Sequence, residues 1–243
     1  MEYFLRTEGA CSVGLKEDVE LGVKGVLLPE WAARDGQVVP EASDIALGNG
    51  AVRLDSTYLY ADMADSTGLA QGHTDWAAAK IIRCYLNAAS RIIRARGGHI
   101  RSFDGDRVMG IFVGGSKNTS AVKAAMNISW AVSKVINPAL KEKWNLKWQM
   151  DHGVGIDTGS AMLVRGGIYG ENDIVSVGKA PNVAAKLSEI RGGKTINISA
   201  AVYDQMAAEV KISKESNMWT EMGTQAYGGT LVKYLGSSYS WQP

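Results

Sequence analysis

Two aspartates, each at the end of a run of strand-forming residues, are the first side chains in this sequence that could do chemistry. Asp62 interrupts the apolar stretch "STYLYADM", and Asp106 closes the stretch "HIRSFDGD". Two carboxylates held a few ångströms apart repel each other, and the pKa of one rises unless cations occupy the gap. Paired divalent metal ions about 3.5–4 Å apart form the usual clamp for attack on a phosphate. The pair therefore predicts a two-metal site, provided that the fold brings the two residues together.

The residues after the first aspartate fit the same chemistry. Asp65, Ser66 and Thr67 are followed by a glycine and lead toward a long predicted helix. Free backbone N–H groups at a helix start can cradle a polyphosphate. Taken alone, these residues and the Asp-Gly pair of the second stretch are also ordinary turn residues. The metal prediction therefore depends on the two aspartates being neighbours in space.

Local patterns predict the elements that would position the aspartates. "TYLYADM" has the composition of a strand, and Thr74 and Asp75 offer an N-cap to a helix that ends at Gly97. The core positions predicted for this helix are Ile81, Tyr85, Ala88 and Ile92. "HIRSF" and "RVMGIFV" are predicted strands joined at Asp104-Gly105-Asp106, because an Asp-Gly pair between two such runs is a strong hairpin signal.

The rest of the chain completes a recognisable order of elements. A second helix is predicted from Thr119 to Ile136, and "WQMDHGVGIDTGSAMLVRGG" after Pro138 is predicted to form a strand, a tight turn and another strand. A helix at about 180–190 and several short strands follow. The order β-α-β-β-α-β predicts an α+β fold with a ferredoxin-like, or palm, core and extra C-terminal strands. In that topology the first strand is central and lies beside the hairpin, which would bring Asp62 and Asp106 together.

Composition narrows the class of protein. The 243 residues are 46% hydrophobic and 21% charged, and the formal net charge of +1 gives no reason to expect binding to nucleic acid. Two cysteines make no disulfide framework, and no apolar run approaches the roughly 20 residues that span a bilayer. We expect a cytoplasmic protein with no membrane partner. Residues 1–50, with one helix around Lys16 to Leu28, are predicted to be an N-terminal arm, and residues 51–243 a single catalytic domain.

Four stretches of the sequence resemble the motifs of class III nucleotidyl cyclase catalytic domains, and they occur in the same order as in that family. They are "YLYADMADST", "FDGDRVMGIF", "GVGIDTG" and "VGKAPNVAAKLSEI", and together they span about Ser56 to Ile190. The resemblance implies the palm fold and a metal-dependent cyclase that acts on a nucleoside triphosphate. It also implies a homodimer with two shared active sites.

Roles for individual residues follow from this resemblance. Asp62 and Asp106, with the Met63 carbonyl, would hold two Mg²⁺ or Mn²⁺ ions per active site. From the partner subunit, Asn182 would orient the ribose and Lys186 would stabilise the charged α-phosphate. The family usually has arginine in place of this lysine, so a bidentate fork becomes a point charge. The family's C-terminal triphosphate-binding lysine has no clear match, and Lys233 is the candidate for its role.

The positions that select the base in purine cyclases are occupied by Ser102 and Val175. Neither residue offers the hydrogen bonds that read a purine edge. Tyr60 shares a strand face with the first aspartate and would narrow the pocket, and Arg107 could donate hydrogen bonds to a carbonyl-rich base. Tyr60 is also a plausible core aromatic residue, and Arg107 a surface hairpin residue.

The pattern resembles most closely the Pycsar-type pyrimidine cyclases of bacterial anti-phage defence, which signal to a separate effector protein through cyclic UMP or cyclic CMP. UTP is preferred slightly over CTP, because an arginine suits the two carbonyl groups of uracil. The alternatives are an adenylate or guanylate cyclase with an altered base pocket, a non-catalytic nucleotide-binding regulatory domain, and another palm-fold nucleotidyltransferase.

Overall fold

The computed structural model describes residues 14–65, 68–69, 74–145 and 148–243. The strands are β1 (Ala32–Gly36), β2 (Gly50–Met63), β3 (His99–Asp104), β4 (Arg107–Phe112), β5 (His152–Ile168), β6 (Glu171–Val177), β7 (Ile196–Ser199), β8 (Ile212–Ser213), β9 (Ser216–Asn217), β10 (Thr220–Tyr227) and β11 (Thr230–Ser237). The central sheet has the strand order β10-β11-β7-β5-β2-β4-β3, with β1 pairing to β2 and β6 pairing to β5. The short β8 and β9 form a separate two-stranded sheet.

Helices cover both faces of the central sheet. The helices are α1 (Leu15–Leu27), α2 (Asp75–Ala95), α3 (Lys117–Ala131), α4 (Asn137–Trp144), α5 (Lys179–Ser188) and α6 (Ala200–Gln205). A π-helical segment (Val132–Ile136) joins α3 to α4, and single 3₁₀ turns occur at Ala42–Asp44 and Ala208–Val210. No helix of the described residues is long and apolar enough to cross a membrane.

The predicted βαββαβ core is confirmed. It consists of β2, α2, β3, β4, α3 and β5, and its four strands have the spatial order β5-β2-β4-β3. The central strand β2 pairs antiparallel with β4 through Thr57–Asp62 and with β5 through Ala51–Met63. β2 therefore ends beside the β3–β4 hairpin. Gly105 occupies the turn of this hairpin with a φ of 61°, a conformation that favours glycine.

The prediction for α2 is correct in its ends and partly correct in its core. The Thr74 side chain accepts a hydrogen bond from the Ala77 N–H, as expected of an N-cap. Ile81 and Tyr85 are buried as predicted, but the next buried positions are Ala89 and Ile93 rather than Ala88 and Ile92. The shift occurs because Ile93 packs where Gly98 and Gly110 leave room; a Cβ on either glycine would lie within 3 Å of its side chain.

Two other predictions are wrong. The stretch "GVGIDTG" contains no turn, because β5 continues through it as one strand from His152 to Ile168. Its Asp157, Thr158 and Gly159 pair in unbroken register with β2, and this long ladder outweighs the local turn signal of Asp-Thr-Gly.

The second predicted helix also does not stop before the proline. It starts at Lys117 and runs through the π-helical segment into α4. The Asn137 N–H donates to the Val132 carbonyl and Pro138 follows directly, so the wider π turn interrupts the regular ladder next to the residue that has no N–H to donate.

The N-terminal region contributes a helix and a strand. The predicted helix around Lys16 to Leu28 is observed as α1, and none of its 13 residues is buried. β1 pairs in parallel with the start of β2, so the arm reaches the central sheet. The proposed boundary at residue 50 stays a prediction.

The two faces of the sheet carry different cores. Leu59, Ala61 and Met63 of β2 belong to a large hydrophobic cluster that includes α2 and α3. Tyr58 and the half-buried Tyr60 belong to a second cluster that includes residues of α5 on the other face. α5 lies directly on β5 at Gly155, where an added Cβ would overlap backbone atoms of the helix. The close approach fixes the position of α5 relative to the end of β2.

Candidate active site

The two predicted metal-binding aspartates are neighbours. Asp62 pairs with Arg107 in the β2–β4 ladder, and Asp106 directly precedes that arginine. Burial raises the pKa of Asp62, and the nearby charge of Asp106 raises it further, against the lowering effect of Arg191. The Oδ2 atom of Asp106 is buried and has no hydrogen-bond partner among the described residues. Two close carboxylates with one buried oxygen unpaired fit a divalent cation.

Protein ligands for such a cation are few. Within residues 14–65, 68–69, 74–145 and 148–243, no group of three or more His, Cys, Asp and Glu side chains converges on one point. A metal at this site would depend on Asp62, Asp106, backbone oxygen and the oxygens of a substrate. The Met63 side chain is buried in the core, and its backbone pairs with His152.

Arg191 contacts the first aspartate and was missed in the sequence. Its Nη2 atom donates a hydrogen bond to Asp62 Oδ2 at 2.7 Å, and its Nη1 atom donates to the Ser188 carbonyl. The residue lies just beyond α5, so it reaches β2 only because α5 packs across the sheet. No local sequence pattern marks a contact between residues 129 positions apart.

The segment after β2 is partly described. Asp65 has a φ of 57°, and its side chain accepts a hydrogen bond from the Gly68 N–H at 3.2 Å. This bond makes Asp65 a turn residue in the structure, and its role toward a substrate stays a prediction. Ser66 and Thr67, also predicted to contact the substrate, lie outside the described residues.

Arg107 and Tyr60 form one unit. The guanidinium carbon of Arg107 lies 5.8 Å from the centroid of the Tyr60 ring. Arg107 also donates to Asp104 Oδ2 at 3.2 Å and to Glu189 Oε1 at 3.1 Å. Arg107 is therefore held over Tyr60 and is not a free surface residue.

Ser102 lies on β3 and Val175 on β6, and an ion pair links these two strands. Ser102 pairs with Met109 of β4, which in turn pairs with Tyr60, so the three residues form one row across the sheet. Val175 lies on β6 and is 47% exposed. Arg101, next to Ser102, forms a 3.5 Å ion pair with Asp173 on the same strand as Val175.

Asn182 and Lys186 project from the exposed face of α5. They line a cleft of 830 Å³ whose opposite wall is the β10–β11 turn with Tyr227, and Arg107 also lines this cleft. Gly178 is the N-cap of α5, so Asn182 is not a helix cap. The one-face arrangement predicted from the i, i+4 spacing is observed.

Glu189 joins the two predicted substrate-binding cations, and it too was missed in the sequence. Lys186 donates to its Oε2 atom at 2.9 Å, while Arg107 binds Oε1. Partial burial opposes ionisation, but these two cations hold the pKa of Glu189 below its ordinary value. The only local signal was the i, i+3 spacing from Lys186, which also occurs on ordinary solvated helix faces.

Lys233 and His152 are accounted for by other contacts. Lys233 forms a 2.7 Å ion pair with Glu221 and lines a hollow of 180 Å³ that also contains Asp157. His152 is buried and shares a hydrogen bond with Ser129 Oγ at 3.1 Å. This burial and this hydrogen bond support a structural role for His152.

Known relatives cover nearly the whole chain. A uridylate cyclase from Rhodovulum sp. (strain MB263) is 41% identical over 238 residues, covering 95% of this chain and 99% of that protein. Uridylate cyclases from Xanthomonas perforans and Burkholderia cepacia are 38% and 37% identical, covering 95% and 90% of this chain and 99% and 98% of those proteins. No family model matches.

Solved structures give the same fold. The adenylyl cyclase CyaB from P. aeruginosa superposes with a TM-score of 0.68 at 24% identity, covering 79% of this chain and 97% of that chain. The guanylyl cyclase Cya2 superposes with a TM-score of 0.65 at 20% identity, covering 79% and 95%. The architecture is therefore that of a class III nucleotidyl cyclase catalytic domain.

Proposed function

Because the chain belongs to the uridylate cyclase family and has the class III nucleotidyl cyclase fold, we propose that it converts UTP to cyclic UMP and pyrophosphate. The observation that carries this proposal is the juxtaposition of Asp62 and Asp106 at the end of β2, with a buried oxygen of Asp106 unpaired. The whole-length similarity to three uridylate cyclases supports uracil as the base. CTP is the alternative substrate.

The proposed reaction needs positioned charges rather than a protein nucleophile. The ribose 3′-hydroxyl oxygen bonds to the α-phosphorus, the bond from that phosphorus to its bridging oxygen breaks, and pyrophosphate leaves with the electron pair. Mn²⁺ or Mg²⁺ bound by Asp62, Asp106 and the Met63 carbonyl would supply Lewis acidity for this step. Lys186 would place a positive charge beside the α-phosphate, and Asn182 would hold the ribose.

The base would be read by the Tyr60–Arg107 unit. Arg107 carries only donors, which suits the two carbonyl oxygens of uracil, whereas a purine presents a larger and more mixed edge. Tyr60 holds the guanidinium in place, and Ser102 lies in the same row across β4. Val175 would contribute apolar surface near this row.

Biological partners belong to the same proposal. We expect a homodimer with shared sites, and we expect the cyclic nucleotide to act on a separate effector protein in anti-phage defence. The resemblance of the sequence to Pycsar-type pyrimidine cyclases is the basis of these expectations, and the experiment below tests the chemistry on which they depend.

A product assay tests the proposed function. Purified protein is incubated with Mn²⁺ and with ATP, GTP, CTP or UTP separately, and the products are identified by mass spectrometry. Cyclic UMP is expected from UTP, and the Asp106→Asn variant should lose at least about 100-fold in turnover, as expected for loss of metal stabilisation. Asp35→Asn, on the distant strand β1, is the matched control and should retain activity.

The other outcomes are equally informative. Cyclic CMP would move the preference to cytosine, and cyclic AMP or cyclic GMP would overturn the roles of Tyr60, Arg107, Ser102 and Val175. No product from any of the four nucleotides would count against catalysis and favour a nucleotide-binding regulatory domain.

A further inference from the structure

A second large cleft lies on the face of the sheet opposite α5. Its volume is 710 Å³, and its walls are the outer surface of α2 and the segment from the π-helix into α4. We call it the α2–α4 cleft. Its size falls within the roughly 300–1,000 Å³ typical of small-molecule sites. None of the residues assigned to the candidate active site lines it.

The lining of the α2–α4 cleft combines positive charge with an apolar floor. Four of its twelve lining residues are cationic and none is acidic; the cations are Lys80, Arg83, Arg91 and Lys143. Ile136 and Leu140 form a buried floor, with Trp144 at one end. A group of like charges around an apolar surface creates a positive potential that favours an anion.

These cations are not neutralised by the part of the chain that the structure describes. Arg91 donates to the Asn87 side-chain oxygen at 2.9 Å, which is a neutral partner. Lys80, Arg83 and Lys143 form no ion pair with any described carboxylate. By contrast, the cations of the candidate active site have carboxylate partners, among them Arg107 with Asp104 and Glu189.

The π-helical segment shapes one wall of the cleft. It lies in the helix before Pro138, and its Val135 is 48% exposed on the cleft wall. Single π turns inside helices are frequent at functional sites.

We propose that the α2–α4 cleft is an effector site for a small organic anion with an aromatic body. The four cations bind the anionic group, and the floor of Ile136 and Leu140, with Trp144, packs against the apolar body. Selective binding requires both parts. The cations alone are solvated and would bind an anion weakly, and the apolar floor alone would not distinguish an anion from a neutral molecule.

α2 connects this cleft to the candidate active site. Its outer face lines the cleft, while its inner face carries Tyr85, which is buried, with its hydroxyl unpartnered among the described residues. Tyr85 belongs to the same hydrophobic cluster as Met63, the residue after Asp62, so α2 packs against the end of β2 that carries this aspartate. Burial raises the pKa of Tyr85, and the charges of Asp62 and Asp106 raise it further. A ligand that shifts α2 would therefore change the surroundings of the metal site. This regulatory part rests on the proposed function.

Cys84 provides a local readout of binding, since it is exposed and lines the cleft. In a Cys11→Ser background, the rate of Cys84 modification by N-ethylmaleimide, a neutral reagent, is measured against the concentration of naphthyl phosphate. We expect saturable protection of Cys84. Inorganic phosphate and the neutral naphthol should each protect at least about ten-fold more weakly, because each supplies only half of the interaction.

Variants separate the site from general effects. Arg83→Gln combined with Lys143→Gln should weaken protection by naphthyl phosphate at least about ten-fold, with an unchanged thermal midpoint, because both side chains are exposed. Lys134→Gln, on the same segment but outside the cleft, is the matched control and should change protection less than two-fold. Equal protection by naphthol, or no loss in the double variant, would overturn the anion site.

A second measurement tests the effector role separately. Naphthyl phosphate should change the turnover of UTP in the parent protein and leave it unchanged in the double variant. Protection of Cys84 without any change in turnover would overturn the effector role but keep the site. If the protein makes no cyclic nucleotide at all, the proposed function fails, and the protection assay still decides whether the cleft binds the anion.

Discussion

Charged residues of the candidate active site are largely balanced within the chain itself. Asp62 is paired with Arg191, while Arg107 and Lys186 share the carboxylate of Glu189. The exception is Asp106, whose buried Oδ2 atom has no partner among the described residues. Any ligand that uses these groups must therefore break internal ion pairs, and the strength of those pairs sets part of its affinity.

Arg191 should compete with a metal ion for the first aspartate. In an Arg191→Ala variant without nucleotide, we expect Mn²⁺ to bind several-fold more tightly, because a positive charge 2.7 Å from Asp62 Oδ2 is removed. Electron paramagnetic resonance of free Mn²⁺ measures this affinity directly. Arg53→Ala, at an exposed position of β2, serves as the control, and weaker Mn²⁺ binding in the Arg191 variant would contradict competition.

His152 should make stability depend on pH. Burial lowers the pKa of His152 from 6.5 to about 4, against an opposing effect of Asp151. Because the folded-state pKa lies below the unfolded value, the neutral ring contributes its full stability above the unfolded pKa, and this contribution is lost as the pH falls toward the folded pKa. Between about pH 7 and about pH 4 the loss is about 3 kcal/mol.

Urea unfolding in EDTA checks this value. The free energy of unfolding of the parent protein should fall more steeply than that of a His152→Gln variant over the same pH range. The two curves should differ in slope by the contribution of one proton. Parallel curves would show that the ring is not held neutral in the folded protein.

At the scale of elements, the sequence predicted best what depends on neighbouring residues. The hairpin at Asp104-Gly105-Asp106 and the N-cap at Thr74 follow from local turn and capping chemistry, and both are observed. The turn predicted within "GVGIDTG" failed, because pairing with β2 keeps β5 extended through Asp157. Glu189 and Arg191 were missed because their contacts exist only after α5 has packed on the sheet.

The contact between α5 and β5 should be intolerant of a single methyl group. Gly155→Ala would place a Cβ against the Ala184 carbonyl and backbone atoms of Leu187 and Ser188. Overpacking of this kind costs about 1–3 kcal/mol, and relief requires α5 to move away from β5. We expect lower thermal stability and at least about a ten-fold loss of turnover, since Asn182 and Lys186 move with the helix.

Gly115→Ala is the matched control, because a Cβ there would meet no atom within 4 Å. Calorimetry and the product assay should show the control close to the parent protein. Full stability in the Gly155 variant would mean that α5 is not held in this position in solution.

At the scale of the whole molecule, the central question is whether one chain contains a complete site. In the same chain, Lys186 of α5 and Arg107 of β4 both form ion pairs with the carboxylate of Glu189. The family nevertheless leads us to predict that Asn182 and Lys186 act on the substrate held by a partner subunit. α1, which has no buried residue, offers additional apolar surface for such a partner.

Mixing two inactive variants decides between these arrangements. Asp62→Ala and Lys186→Ala proteins, exchanged at equal concentration, should recover about a quarter of parent activity, because half of the dimers regain one of two sites in a symmetric pairing. Asp62→Ala mixed with Asp106→Ala is the control and should recover nothing, since both changes affect the same half-site. No recovery in the first mixture would place the whole site in one chain.

Glu189 also has a consequence for how the entry of a nucleotide responds to salt. A nucleotide base that binds Arg107, or an α-phosphate that binds Lys186, displaces the carboxylate that already occupies both cations, so each new contact replaces an existing one. Dissolved salt weakens both sets of contacts, and the two losses largely cancel. The affinity for nucleotide should then change far less with ionic strength than it would if Arg107 and Lys186 had no carboxylate partner.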